Sequence, residues 1–224
     1  MKYLITSGGT KVKIDDVRYI GNFASGRYGV SLAEAIDGEN EENSLVFFTG
    51  KGNDISEFEN FAHPTRIVEY EDYFEYLKVK DLIIEEAPDV IISSAAVSDF
   101  ICDKIDGKIS SSHDTLTIIL RKSEKVIASF RELAPNAIIV GFKLMVSPTP
   151  QEKKDAIAKL FHCGVNFVVY NDLTELRKGH SKRYMYDSMG RVKEIYNPKD
   201  IIKAIEQYKI DSQLGDYSEY FGGN

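Results

Sequence analysis

The chain has no tryptophan, only two cysteines and six prolines, and no apolar run approaching the length of a membrane span. Each shortage removes a class of protein. Cys102 and Cys163 lack the paired spacing of a disulfide framework or a zinc site. So sparse a use of cysteine fits a reduced compartment. A membrane helix needs about 18 or more consecutive apolar residues, and nothing here comes near that. Lys2 and the short apolar stretch Tyr3–Ile5 do not make the core of a secretory leader. A cytoplasmic protein that touches no membrane is expected. Positive charge is in deficit too: 28 Lys and Arg against 35 Asp and Glu leave a net charge of −7. That balance argues against nucleic-acid binding, which needs a basic footprint. It leaves room for a local basic pocket, for which Lys108, Arg121, Lys122, Lys125, Lys143 and Lys159 are candidates. His63, His113, His162 and His180 have no partner at ligand spacing and are assigned no chemistry.

What is present reads as an ordinary globular domain. At 224 residues and 43% apolar content, the chain can bury a substantial core and is not disordered. Apolar runs of strand length recur at Tyr3–Ile5, Leu45–Phe48, Val90–Ile92, Ala137–Val140 and Phe167–Tyr170. They are nearly continuous rather than alternating, as strands covered on both faces should be. Helical patterns lie between them at Tyr28–Ile36, Asp72–Glu86, Ser123–Leu133 and Gln151–Phe161, the last entered through Pro148-Thr149-Pro150. A final helix is expected over Lys199–Tyr208. Strands alternating with helices predict an α/β fold, a Rossmann-like, doubly wound and mostly parallel sheet. Two segments break the alternation. Thr115–Leu120 predicts a strand paired with its predecessor, and Arg183–Ile195 carries a hairpin signal around Asp187–Gly190. The expectation is one domain over 1–224, with a small β-hairpin appendage at about 183–195 and a tail frayed from about 212. The acidic run Glu39–Glu42 reads as a solvated loop.

Chemistry is suggested at the strand ends. The first strand runs into Thr6-Ser7-Gly8-Gly9-Thr10, and a second small-residue loop, Asn22-Phe23-Ala24-Ser25-Gly26-Arg27-Tyr28-Gly29, opens the first helix. Loops of this kind expose backbone N–H groups and hydroxyls to a phosphate. Two of them suggest two phosphorylated groups or one polyphosphate. The glycine spacing is not that of a dinucleotide site, and Thr49-Gly50-Lys51-Gly52 supplies no acidic residue at the end of the second strand, so a dehydrogenase is not favoured. The other strand ends, Thr49–Asn53, Ser93–Asp99, Gly141–Lys143 and Asn171-Asp172, fall at the same mouth of such a sheet.

In order along the chain, Ser7-Gly8-Gly9-Thr10, Ile14 to Asn22, Ser25-Gly26, Gly29, Ser94 to Phe100, Lys108 to Ser111, Gly141 to Leu144 and Asn171-Asp172 resemble phosphopantothenoylcysteine synthetase. The resemblance runs over roughly residues 1 to 175. It looks like a stand-alone form, without the flavin-binding decarboxylase half of the fused bacterial proteins. The resemblance implies ligation of 4′-phosphopantothenate to L-cysteine through an acyl-nucleotide, on the route to coenzyme A. The nucleoside triphosphate would be CTP, or ATP, with Mg²⁺. A homodimer is implied, as is a separate flavin-dependent decarboxylase acting on the product.

Carried over residue by residue, the resemblance makes Asn22 the catalytic asparagine and Lys108 the first lysine of a phosphate-binding loop. Gly8, Gly9, Ser25, Gly26, Ala95, Ala96, Asp99, Phe142, Lys143 and Lys159 become nucleotide contacts. Asp99 would also hold the metal, and Arg18 would join Asn22 in binding substrate. Many bacterial members carry further lysines after Lys108, where this chain has Ser110-Ser111-Ser112. The family's second triphosphate lysine on the later helix is Cys163 here. A catalytically weakened regulatory paralogue, or a non-catalytic nucleotide-binding module, is the alternative reading; Asn22, Asp99 and Lys108 argue against it. The chain's own residues bear on dimerisation as well. Val12, Ile14, Val17, Tyr19 and Ile20 look exposed, and the hairpin looks too short to cover its own apolar face.

Overall fold

The computed structural model describes residues 1–38, 42–112, 114–180 and 182–214. His113, most of the acidic run at Glu39–Glu42 and most of the expected frayed tail lie outside the described residues.

The strands are β1 (Lys2–Ser7), β2 (Lys11–Lys13), β3 (Tyr19–Gly21), β4 (Ser44–Gly50), β5 (Thr65–Tyr70), β6 (Val90–Ser93), β7 (Phe100–Ile101), β8 (Arg121–Lys122), β9 (Ile138–Met145), β10 (Phe167–Asp172), β11 (Arg183–Asp187) and β12 (Val192–Ile195). The helices are α1 (Arg27–Asp37), α2 (Tyr73–Tyr76), α3 (Val79–Glu86), α4 (Phe130–Leu133), α5 (Pro150–Phe161), α6 (Leu173–Arg177) and α7 (Pro198–Leu214).

One sheet takes eight of these strands in the order β12-β11-β10-β9-β6-β1-β4-β5. From β5 across to β10 every pairing is parallel. The hairpin β11–β12 is antiparallel and joins the same sheet through β10. Among the parallel strands the spatial order is third, second, first, fourth, fifth, sixth. The winding reverses between β1 and β6, and ligands of such sheets bind beyond the strand ends at that reversal.

Period-2 alternation explains why both faces are dry. Tyr3, Ile5, Phe47, Ile92, Val140 and Val169 share one buried cluster with Leu32 and Ile36 of α1 and Ile201 and Ile205 of α7. Their alternates Leu4, Val46, Phe48, Ile91, Ile139 and Val168 share the other, with Leu82 and Ile83 of α3, Phe130 of α4, and Ile157 and Leu160 of α5. Truncating any of these aliphatic side chains to alanine would cost about 2–5 kcal/mol. α5 starts as its sequence implies: Thr149 caps it, Glu152 completes the reciprocal capping box, and Pro150 opens the first turn.

Several segments depart from expectation. Thr115–Leu120 forms no strand; only Arg121 and Lys122 pair, with Ile101 and Phe100. Only Ile118 packs, on the cluster of Val12 and Ile14, while Ile119 is 84% exposed, too little contact to hold the run extended. Asp72–Glu86 is two helices, α2 and α3, broken where Leu77 packs between two apolar clusters. Ser123–Leu133 is a 3-10 turn over Val126–Ser129 followed by the short α4. β5 was not anticipated because its sequence, TRIVEY, is an edge strand that leaves Arg66 and Glu69 exposed. Finally, the hairpin does not need a second molecule to cover it. Met185 and Ile195 are fully buried beside Ile201 and Ile202 of α7.

Candidate functional site

Beyond its last residue, β1 continues as a loop laid along Ser94–Ser98. Ser94 N–H donates to Thr6 O at 3.1 Å, Ala96 N–H to Gly8 O at 2.8 Å, and Thr10 N–H to Ala96 O at 3.1 Å. The Thr10 and Ser98 hydroxyls lie 2.9 Å apart in the interior, and Ser98 N–H donates to Thr10 Oγ1 at 2.8 Å. Ser123 closes the next turn, donating from Oγ to Ser98 O at 2.7 Å and from N–H to Asp99 O at 3.0 Å. Asp99 therefore stands exposed on a backbone pinned at both sides.

A cleft of about 720 Å³ opens there, between the ends of β6 and β9 and the start of α5. Its wall holds Asn22, Ala95, Ala96, Asp99, Phe142, Lys143 and Lys159, seven of the residues expected at the site. Lys125, at the turn before α4, is the third lysine in the cleft. Among the described residues, none of Lys125, Lys143 and Lys159 is held in a salt bridge. The carboxylates nearby are differently occupied. Glu124 pairs with Lys80 at 2.5 Å, Glu152 serves the α5 cap, and Asp155 accepts from Gln151 Nε2 at 2.7 Å. Tyr76, on the cleft floor, has its hydroxyl pushed up to about 12 by burial, so it stays neutral. Phe142 packs edge-on against Tyr28 with ring centroids 5.8 Å apart.

A second cleft, about 570 Å³, lies toward β4 and the β2–β3 ribbon and is lined by Gly9, Ser25, Lys11, Lys51, Asn53 and Glu71 among others. Asn22 and Phe23 line both clefts. Phe23 is fully exposed.

Four expected site residues line neither cleft: Gly8, Arg18, Gly26 and Lys108. Gly8 and Gly26 both have left-handed backbones (φ 85° and 74°), and a Cβ on either would meet Asn53 Nδ2 at 2.3 or 2.6 Å. Here the glycines let two loops close on one asparagine. Arg18 is occupied by its own chain: its guanidinium holds Asp15 and donates to the Ile109 carbonyl at 2.8 Å. Lys108 is exposed on the loop that follows β7. Of the other basic candidates, Arg121 is taken by Asp103 in a bidentate pair.

Sequence reasoning missed Glu152 and Asp155, which reach the cleft with Ala156 and Lys159 from one face of α5. Their i, i+3, i+4, i+7 spacing is the signal that could have found them. Lys11 of the second cleft had no such periodicity, whereas Asn53 ends the Thr49–Asn53 segment expected at the mouth. Among the described residues no cluster of three or more His, Cys, Asp or Glu could cage a metal ion, and no helix is long and apolar enough to cross a membrane.

A mostly parallel sheet covered on both faces, its winding reversed between β1 and β6, defines a Rossmann-like α/β domain. Residues 1–200 match the model of the DNA/pantothenate metabolism flavoprotein C-terminal domain, and this chain belongs to that family. It is 31% identical over 221 residues to the coenzyme A biosynthesis bifunctional protein CoaBC of Methanocaldococcus jannaschii, covering 97% of this chain and 48% of that protein. With the CoaBC of Thermococcus kodakarensis it shares 33% over 175 residues, 77% of this chain and 41% of the relative. The chain thus spans about half the length of the curated relatives it matches. The fold is shared with the DNA/pantothenate metabolism flavoprotein from Streptococcus pneumoniae, at TM-score 0.75 and 23% identity, over 95% of this chain and 99% of that one. It is shared too with a Cab2 mutant in complex with phosphopantothenate-cysteine, at TM-score 0.78 and 19% identity, over 96% and 87% of the two chains.

Proposed function

We propose that this chain ligates 4′-phosphopantothenate to L-cysteine through an acyl-nucleotide, releasing pyrophosphate, as a step of coenzyme A biosynthesis. The observation that carries the reading is the trio Lys125, Lys143 and Lys159, free of salt bridges among the described residues and meeting Asp99 in one cleft beyond the ends of β6 and β9, next to the winding reversal. Ammonium groups without a carboxylate partner suit the triphosphate of a nucleotide. The neighbouring cleft takes the phosphorylated substrate arm, so that Gly9 and Ser25, expected as nucleotide contacts, serve the substrate instead, with Asn22 on the boundary where the two molecules must meet.

In the first step a carboxylate oxygen of the substrate attacks the α-phosphorus. The new O–P bond displaces pyrophosphate, whose charge the cleft lysines and Lys108 offset. In the second, the cysteine amine attacks the acyl carbon, the nucleoside monophosphate leaves with the bonding pair of the acyl C–O bond, and the amine gives up a proton to solvent. Asn22 orients the acyl phosphate with a neutral amide that can donate and accept. Asp99 is a hard oxygen donor exposed in the cleft, and among the described residues no protein cage surrounds it. That fits Mg²⁺, which is held through one or two carboxylates and the phosphates of its substrate. When bound, the ion would neutralise triphosphate charge.

The protein acts as a cytoplasmic homodimer, its site completed across the twofold, and a flavin-dependent decarboxylase consumes its product. The exposed Val17, Tyr19, Ile20 and Phe23 support a contact on the β2–β3 side. Val12 and Ile14 do not contribute to it, being buried in the chain's own interior. CTP is favoured over ATP. Pyrophosphate release, measured with each nucleotide, is expected only when phosphopantothenate is present, with the higher kcat/KM for CTP. Release independent of phosphopantothenate would sink the ligase reading; an ATP efficiency equal to that for CTP would overturn the nucleotide choice alone.

A further inference from the structure

The loop after β7 is tied to the β2–β3 ribbon without a strand ladder, by side chains and by a few backbone bonds, among them Ile105 N–H to Ile14 O at 2.9 Å. Asp15 is 1% exposed, and its carboxylate gathers five N–H groups. Oδ1 accepts from the backbone of Val17 at 2.9 Å and of Arg18 at 2.7 Å. Oδ2 accepts from Arg18 Nε at 2.9 Å, Arg18 Nη2 at 2.5 Å and the backbone of Ile109 at 3.1 Å. Arg18 Nη2 also donates to Ile109 O at 2.8 Å. One ion pair thereby holds both backbone polar groups of Ile109. On the other side of Lys108, Gly107 N–H donates to Asp16 Oδ2 at 2.8 Å, and Asp16 N–H donates to Gly107 O at 3.1 Å. Lys104 pairs with Asp16, and Ile109 packs on the cluster of Val12 and Ile14.

A buried carboxylate costs desolvation, which its partners must offset. Here that carboxylate is committed to one exposed loop, whose central residue is a lysine with both neighbours pinned. Because Lys108 lines neither cleft of its own chain, where its backbone is fixed decides what its side chain can reach.

We propose that Asp15 is a positioning residue, which acts through Arg18 to set the place of Lys108 for the ligation. This rests on the role given to Lys108 above. Asp15→Asn keeps the shape and removes the charge. Trypsin cleavage after Lys108 in the native protein, followed by mass spectrometry, reads the tether directly, because cleavage tracks the open fraction of the loop. It is expected to accelerate about tenfold in Asp15→Asn. kcat for pyrophosphate release should fall about tenfold, with the KM for nucleotide held within about twofold. In a Lys108→Gln background, Asp15→Asn should cost no further activity, since effects that pass through one group are not additive.

An unchanged cleavage rate, or an equal further loss in the Lys108→Gln background, overturns the proposal. Should Asp15→Asn fail to fold, Arg18→Lys carries the same expectations. It keeps the charge and loses the forked grip on Asp15 and Ile109. A Lys108→Gln protein that turns over at the wild-type rate, with cleavage still accelerated in Asp15→Asn, sinks the role of Lys108 and leaves the tether standing.

Discussion

Asn22 donates from Nδ2 to the carbonyl oxygen of Ala96 at 2.9 Å, across 74 residues of sequence. The same oxygen receives the Thr10 N–H at 3.1 Å, so it belongs to the wall that β1 builds with the Ser94–Ser98 loop. The carboxamide is thereby turned with its nitrogen to the protein, between the two clefts.

Asn22→Asp sets a carboxylate oxygen against that carbonyl and a negative charge beside an acyl phosphate. Amide formation is expected to fall about 10²–10³-fold, the scale on which losing one oriented polar group at a reacting centre acts. Nucleotide affinity, read by titration calorimetry, should change little, because Asn22 stands at the edge of the lysine cleft. Turnover at the wild-type rate would remove Asn22 from catalysis.

Lys108→Gln tests charge on an exposed loop. Pyrophosphate release should slow by at least about tenfold, while the melting temperature moves by no more than about 1–2 °C, as for most exposed substitutions. Loss of activity and of melting temperature in the same proportion would make the residue structural.

Sedimentation at micromolar concentration is expected to give a mass near twice the 25.3 kDa of the chain. The grounds are narrower than the sequence suggested. With the hairpin covered by α7 and with Val12 and Ile14 buried, the argument rests on Val17, Tyr19, Ile20 and Phe23. A fully active monomer at that concentration would end it.

The Asp15 carboxyl is held well below the usual carboxylate range, first by the Arg18 side chain and then by backbone N–H donors that outweigh its desolvation. A group whose folded value is depressed stabilises the fold above its unfolded value and loses that contribution as pH falls through the folded one. The stability gap between wild type and Asp15→Asn should therefore be constant from neutral pH down to about pH 5 and narrow below about pH 4, the unfolded value. Urea midpoints across that range measure it. A gap that instead closes between pH 5 and 7 would mean the carboxylate is not held in this way.

The buried strands were legible because each is a short apolar run with both faces covered, and that leaves a signature in any one segment. β5 was not, since an edge strand keeps Arg66 and Glu69 in water and reads as a mixed stretch. Thr115–Leu120 misled for the converse reason. Strand propensity cannot act without a partner, and here only Arg121 and Lys122 find one. At the site, Asp99, Phe142, Lys143 and Lys159 could be grouped in advance because they stand at strand ends or on the helix beside them.

By itself the sequence determined the class of fold, the two small-residue loops, and a mouth at the ends of the parallel strands. Those follow from the local period of burial and from residues that free the backbone. The tertiary structure alone decided which candidates meet. Strand order brings Asn22 to Ala96 and three lysines to one cleft, while Asp15 captures Arg18 and fixes the loop of Lys108. An ion pair or hydrogen bond depends on distance in space, and that distance is set only when every strand has found its neighbour.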